Sequence, residues 1–199
     1  YLEPDKLKDY GFQDVVSYYN SEITTINNIN DDIQITKNNI DESDTREVNG
    51  YIFDKTNSFI KNSRKPYFIV YNTIFAKETD THNSDVIEHD KYVGQILNNI
   101  DKNTMVIYTG LTGGKNIQSP YNINKELCTD GNFRVPLLIR QVPTQIKNKY
   151  ETIERIVSIM DLYPTIAKKV GLGDIKQKLE NGYNIDNKTY KIKLDGQII

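Results

Sequence analysis

Two short apolar runs separated by an amphipathic stretch constrain this chain more than any other feature. Tyr67-Phe68-Ile69-Val70-Tyr71 is continuous, aromatic and β-branched, and Lys65-Pro66 breaks the chain just before it. A run that does not alternate with polar residues suits a strand covered on both faces. Met105-Val106-Ile107-Tyr108 is a second run of the same kind. Between them, Val86, Val93, Leu97 and Ile100 form a single stripe on a helix expected over 85–100. A strand, a helix and a strand in succession predict an α/β layered domain. The two strands are expected to be adjacent and parallel, joined by a right-handed crossover.

At 199 residues, with 37% hydrophobic and 26% charged residues, the chain suits one domain with a sizeable core. The stretch 21–44 is rich in Asn, Asp, Thr and Ile without a clean period, and reads as a loop excursion. A helix is expected after it. Asp44 and Glu47 have capping-box spacing, and Val48, Tyr51, Ile52, Phe59 and Ile60 share a face. Phe133 to Ile139 is a third strand candidate, and Pro136 in it suggests an edge or a strand start. A helix is expected from Asp161, with Pro164 in its first turn and Gly171 as its stop. Tyr190 to Leu194 is the last strand candidate.

Composition excludes some functions. The formal net charge is -2 and the basic residues are scattered, so nothing marks a nucleic-acid binder. No stretch approaches the roughly 20 apolar residues of a spanning helix. Tyr1 is not an initiator methionine and no signal-peptide pattern follows it, so the sequence reads as processed or incomplete. Cys128 is the single cysteine, which rules out an internal disulfide and leaves the compartment unassigned. Asn187-Lys188-Thr189 is a glycosylation sequon of a length common by chance. Gly110-Leu111-Thr112-Gly113-Gly114-Lys115-Asn116 resembles a phosphate loop but has one residue too few before Gly-Lys and Asn where Ser or Thr belongs. Neither His82 nor His89 has a second His or a Cys at metal-ligand spacing.

The order of segments carries more information than any one motif. Lys65 to Thr73 resembles the string KPFFVYFNTT, and Glu88 to Leu97 resembles EHDDHVGQLL. Thr104 to Thr109 resembles the start of NTIVVYTTDNG, and Asp130 to Pro136 resembles EGGFRVP. Val157 to Ile166 is similar to SHQDWLPTLL; Lys178 to Tyr183 and Thr189 to Gly196 are similar to KLLNGY and TYKVHLDGY. Upstream, Tyr10 to Gln13 and Asn39 to Glu42 resemble HGFDE and TIDDE. These strings belong to sulfatases of the alkaline phosphatase superfamily, and the resemblance is to the middle and C-terminal part of a bacterial-type arylsulfatase.

The resemblance implies a mostly parallel sheet flanked by helices, with the N-terminal part of the family fold missing. It implies sulfate-ester hydrolysis by a formylglycine made in a C/S-x-P-x-R motif, with one divalent cation, usually calcium, held by carboxylates. A sulfate ester is anionic and attack adds charge to its oxygens, which a cation and ammonium groups must offset. The C/S-x-P-x-R motif does not occur in these 199 residues. The late metal pair, Asp with Asn or His in the family, aligns with Leu111 and Thr112, so no cofactor is expected in this chain. Lys77 aligns with a family histidine, a role a small shift would give to His82. Lys125 stands nine residues before Arg134, the spacing of the family's catalytic lysine, where it would bind a sulfate oxygen as a point charge. The expectation is an arylsulfatase-like protein that is weakly active or inactive, with a non-catalytic binding or structural role and phosphate-ester hydrolysis as alternatives. Expected partners are the missing N-terminal part of the fold, a second copy or another protein, with a sulfated small molecule as ligand and with neither nucleic acid nor membrane.

Overall fold

The computed structural model describes residues 15–19, 22–29, 32–39, 45–64, 66–73, 82–111, 129–140, 151–185 and 187–199. Contacts gather into two compact units, 1–144 and 145–199.

The first unit opens with an antiparallel meander of β1 (Val15–Tyr19), β2 (Glu22–Ile29) and β3 (Asp32–Asn39). Val15 pairs with Ile26 and Tyr19 with Glu22; Ile29 pairs with Asp32. Two strands therefore occupy most of the stretch expected to be a loop excursion. The Asn and Asp residues there favour turns, but Ile23, Thr24, Thr25 and Ile26, and then Ile33, Ile35 and Thr36, are β-branched. Their stiff χ1 suits a pleated surface.

Helix α1 (Thr45–Asn62) and helix α2 (His82–Asn99) pack together. The rings of Phe53 and Tyr92 stack with centroids 4.5 Å apart, and Asn99 Nδ2 donates to Asn57 Oδ1 at 2.7 Å. Val48, Phe53 and Ile60 are the buried apolar residues of this unit among those described. The buried face is thus centred on Phe53, one position from the expected Ile52, and it takes in the polar Asn49. Asp44, expected to cap α1, lies outside the described residues.

Residues 66–73 are extended but form no assigned strand. Along them Tyr67, Ile69 and Tyr71 are half-buried while Phe68 and Val70 are 62% and 56% exposed, so coverage alternates with the period of a strand. Strand β4 (Val106–Thr109) pairs with β5 (Leu137–Arg140), and the ladder is antiparallel, Val106 opposite Arg140 and Thr109 opposite Leu137. All pairings among the described residues are antiparallel. The expected parallel neighbour, Tyr67 to Tyr71, is not paired to β4 among them. An apolar run reports that a strand is to be covered; it carries no information about which strand lies beside it. The stretch expected as one strand from Phe133 also divides: Asp130–Phe133 is a helical turn, α3, and β5 begins after Pro136. Proline cannot donate to a ladder, so the strand starts beyond it.

The second unit is built on a 3₁₀ turn, Ile159–Asp161, leading into α4 (Leu162–Lys169). Ser158 and Asp161 form a capping box: the Ser158 hydroxyl accepts from Met160 N, and the Asp161 carboxylate accepts from Ser158 N at 2.8 Å. Pro164 is buried in the first turn of α4. Gly171, at φ 85°, ends the helix: its N–H donates to Lys168 O and that of Leu172 to Ala167 O, the paired bonds of a Schellman motif. The C-terminal residues lie along this helix. Gln197 N donates to Asp161 Oδ1 at 2.7 Å and Ile199 N to Thr165 Oγ1 at 3.0 Å. Helix α5 (Ile175–Asn181) precedes the hairpin of β6 (Tyr183–Ile185) and β7 (Lys188–Tyr190). The last strand thus ends where it was expected to begin, at Tyr190.

Candidate functional site

Antiparallel pairing of β4 with β5 brings two sequence-distant segments to one end of the ribbon. Because Thr109 sits opposite Leu137, the residues that leave β4 lie beside those that enter β5. Gly110 is packed closely here: a Cβ at this position would stand 3.2 Å from Val135 Cβ and Cγ1 and 3.7 Å from Pro136 Cδ. A larger residue would have to push the Arg134-Val135-Pro136 segment away. Leu111 follows, 88% exposed, and Phe133 on the facing segment is 70% exposed. Arg134 N donates to Asp130 O at 2.7 Å, which fixes the turn that carries the guanidinium.

A polar cluster lies between α2 and the extended segment 66–73. Glu88 and Tyr92 are one helical turn apart, and the Tyr92 hydroxyl donates to Glu88 Oε1 at 3.0 Å. Burial, that hydrogen bond and the charges of Glu88 and Asp54 raise the Tyr92 phenol above its usual range. The Tyr71 hydroxyl is buried and has no hydrogen-bond partner. Burial first, then Tyr92 and Glu88, pushes its pKa up to about 12. The His89 ring lies 6.0 Å from that of Tyr108 on β4. Burial lowers the imidazole below its ordinary value and Asp90 opposes the shift, so His89 favours its neutral form.

The segments that meet at the end of the ribbon, and helices α1 and α2, lie within residues 41–172, which match the family model for sulfatases over well over half of the 199 residues. The chain belongs to the sulfatase family. Its fold is therefore of the α/β, alkaline-phosphatase-like kind, and its function is sulfatase-like. No curated protein and no solved structure matches this sulfatase chain.

Of the residues expected to carry chemistry, the structure places Leu111 directly after Gly110 at the end of β4. His82 is the first residue of α2. Lys77, Thr112 and Lys125 lie outside the described residues, as does Cys128. Among the described residues, no group of three or more His, Cys, Asp or Glu side chains could hold a metal ion. The Tyr71, Glu88 and Tyr92 cluster was not foreseen. The spacing of Glu88 and Tyr92 was a readable signal for a contact on one helix, but nothing local joins either to Tyr71.

Proposed function

We propose that this sulfatase-family chain is an arylsulfatase-like domain that binds anionic sulfate esters beside the β4–β5 end and hydrolyses them weakly or not at all. The reading rests on Leu111: an exposed, carbon-only side chain stands at the position that the resemblance aligns with a metal-binding aspartate of the family. Calcium requires oxygen donors. Leucine offers none, and a neighbouring threonine hydroxyl is a poor replacement for a carboxylate, so the residues of this turn do not suit the ion. We place the domain in the mostly parallel sheet of the family fold.

In this reading Lys125 holds one sulfate oxygen as a point charge, and Lys77 or His82 takes the part of the family histidine. Their charges would favour binding of the anion, and the missing carboxylate at position 111 is what would slow hydrolysis of the ester. A non-catalytic binding role is the second reading, supported by the same leucine. Phosphate-ester hydrolysis is less well supported, since related phosphatases use several histidines and this chain has 2.

Sulfate binding by calorimetry, together with release of a chromogenic phenol from an aryl sulfate, tests the proposal. Lys125→Ala is expected to weaken sulfate binding about tenfold, the loss of one charge-assisted contact, with slow or absent turnover in both chains. Unchanged affinity in Lys125→Ala, or rapid turnover by the wild-type chain, contradicts it.

A further inference from the structure

The sequence contains two Asn-Gly dipeptides, Asn49-Gly50 and Asn181-Gly182. In such a pair the glycine backbone nitrogen can attack the side-chain carbonyl carbon of the asparagine, because no Cβ shields it. A C–N bond forms and closes a succinimide. The bond from that carbon to the side-chain nitrogen breaks, and ammonia leaves with the proton given up by the glycine N–H. Water then adds to either ring carbonyl and opens the ring to aspartate or isoaspartate. Water is the sole co-reactant.

The fold treats the two pairs differently. Asn49 lies inside α1 and is 8% exposed. In a helix interior the N–H that follows each residue is committed to the carbonyl four residues before it. The Gly50 nitrogen would have to leave the helix ladder before it could turn on the Asn49 side chain, and the Tyr92 hydroxyl presses on this glycine, 3.3 Å from where its Cβ would be. Asn181 is exposed and is the last residue of α5. Gly182 has already left the helical conformation, at φ 101° and ψ 148°, and its N–H makes no capping bond among the described residues. The end of α4 is different, for there the Val170 N–H donates to Ile166 O.

We propose that Asn181 is a site of spontaneous deamidation to aspartate and isoaspartate, and that the fold itself requires the glycine that makes it labile. A Cβ at position 182 would lie 2.9 Å from Thr189 Cγ2 and 3.3 Å from Lys191 Cγ, on a backbone that L-residues rarely adopt. The hairpin can close against α5 only over a glycine, and that glycine leaves its neighbour open to attack. The product puts a carboxylate beside Glu180 at the negative end of the α5 dipole, where an added anion is unfavourable. Isoaspartate also inserts an extra main-chain atom directly before β6. This strains the Tyr183–Tyr190 pairing and the bond from Ile192 N to Leu179 O.

The full chain, folded, is incubated at mildly alkaline pH in ¹⁸O-labelled water, digested and mapped by mass spectrometry, beside the same chain unfolded in urea. The expected result is label incorporation in the Asn181 peptide and an unchanged Asn49 peptide while folded, with both peptides labelled in urea. Asn181→Gln is expected to remove the label from its peptide. Equal labelling of the two peptides in the folded chain overturns the proposal, as does an unlabelled Asn181 peptide when the urea sample is labelled.

Discussion

Replacing Asp161 by alanine tests how the C-terminal residues are held. The carboxylate accepts from Ser158 N at 2.8 Å and from Gln197 N at 2.7 Å, so it ties the start of the 3₁₀ turn to the last residues of the chain. A sheltered hydrogen bond to a charged group is worth about 1.5–3 kcal/mol. Asp161 is half-buried, water competes for both bonds, and the pair together is worth about 1–3 kcal/mol. The same two N–H groups lower the Asp161 pKa from 3.8, with Arg155 assisting and burial opposing. A carboxylate whose folded pKa is depressed contributes stability that is fully present above 3.8 and is lost as pH falls below it toward the folded value. Hydrogen exchange at the Ser158 and Gln197 amides, followed from neutral pH into acid, reads the local opening directly. Asp161→Ala should lower protection at neutral pH and converge with the wild type in acid. A difference that persists undiminished in acid, or none at neutral pH, refutes the reasoning.

Phe53→Ala should cost about 3–5 kcal/mol by urea denaturation, because it empties a buried site. A double-mutant cycle with Tyr92→Ala should show about 0.5–1.5 kcal/mol of coupling from the stacked rings. Gly196→Ala should destabilise the second unit by about 1–3 kcal/mol, measured by thermal melting, since its Cβ would fall 2.7 Å from the Met160 carbonyl carbon. His89 has a lowered pKa, so its contribution to stability should be present above pH 6.5 and decline as pH falls below it; His89→Gln should flatten that part of the stability profile.

Helices were the most legible part of the fold. The stripe from Val86 to Ile100 located α2 to within three residues at its start, and Pro164 with Gly171 bracketed α4, because helix periodicity and end chemistry are local. Sheets were less legible. The meander was hidden by asparagine-rich composition, although the β-branched residues within it carried the signal. The β4–β5 pairing joins segments whose proximity is not written in either one. At the candidate site, the family resemblance picked out Leu111 by its place after β4, and the structure supplied what sequence order could not: Gly110 held against Val135 and Pro136. The Tyr71 hydroxyl shows the limit. Its pKa is set by burial and by residues on another element, and a one-dimensional pattern does not encode burial at an atom.

Calcium titration of the full chain by calorimetry is the most direct test of the central claim that Leu111 has removed metal chemistry from the turn after β4. The account predicts no saturable binding at this turn in the micromolar range, in the wild-type chain and in Thr112→Ala alike. A saturable micromolar site that is abolished by Thr112→Ala would contradict it, for it would show that the turn holds the ion without a carboxylate at position 111.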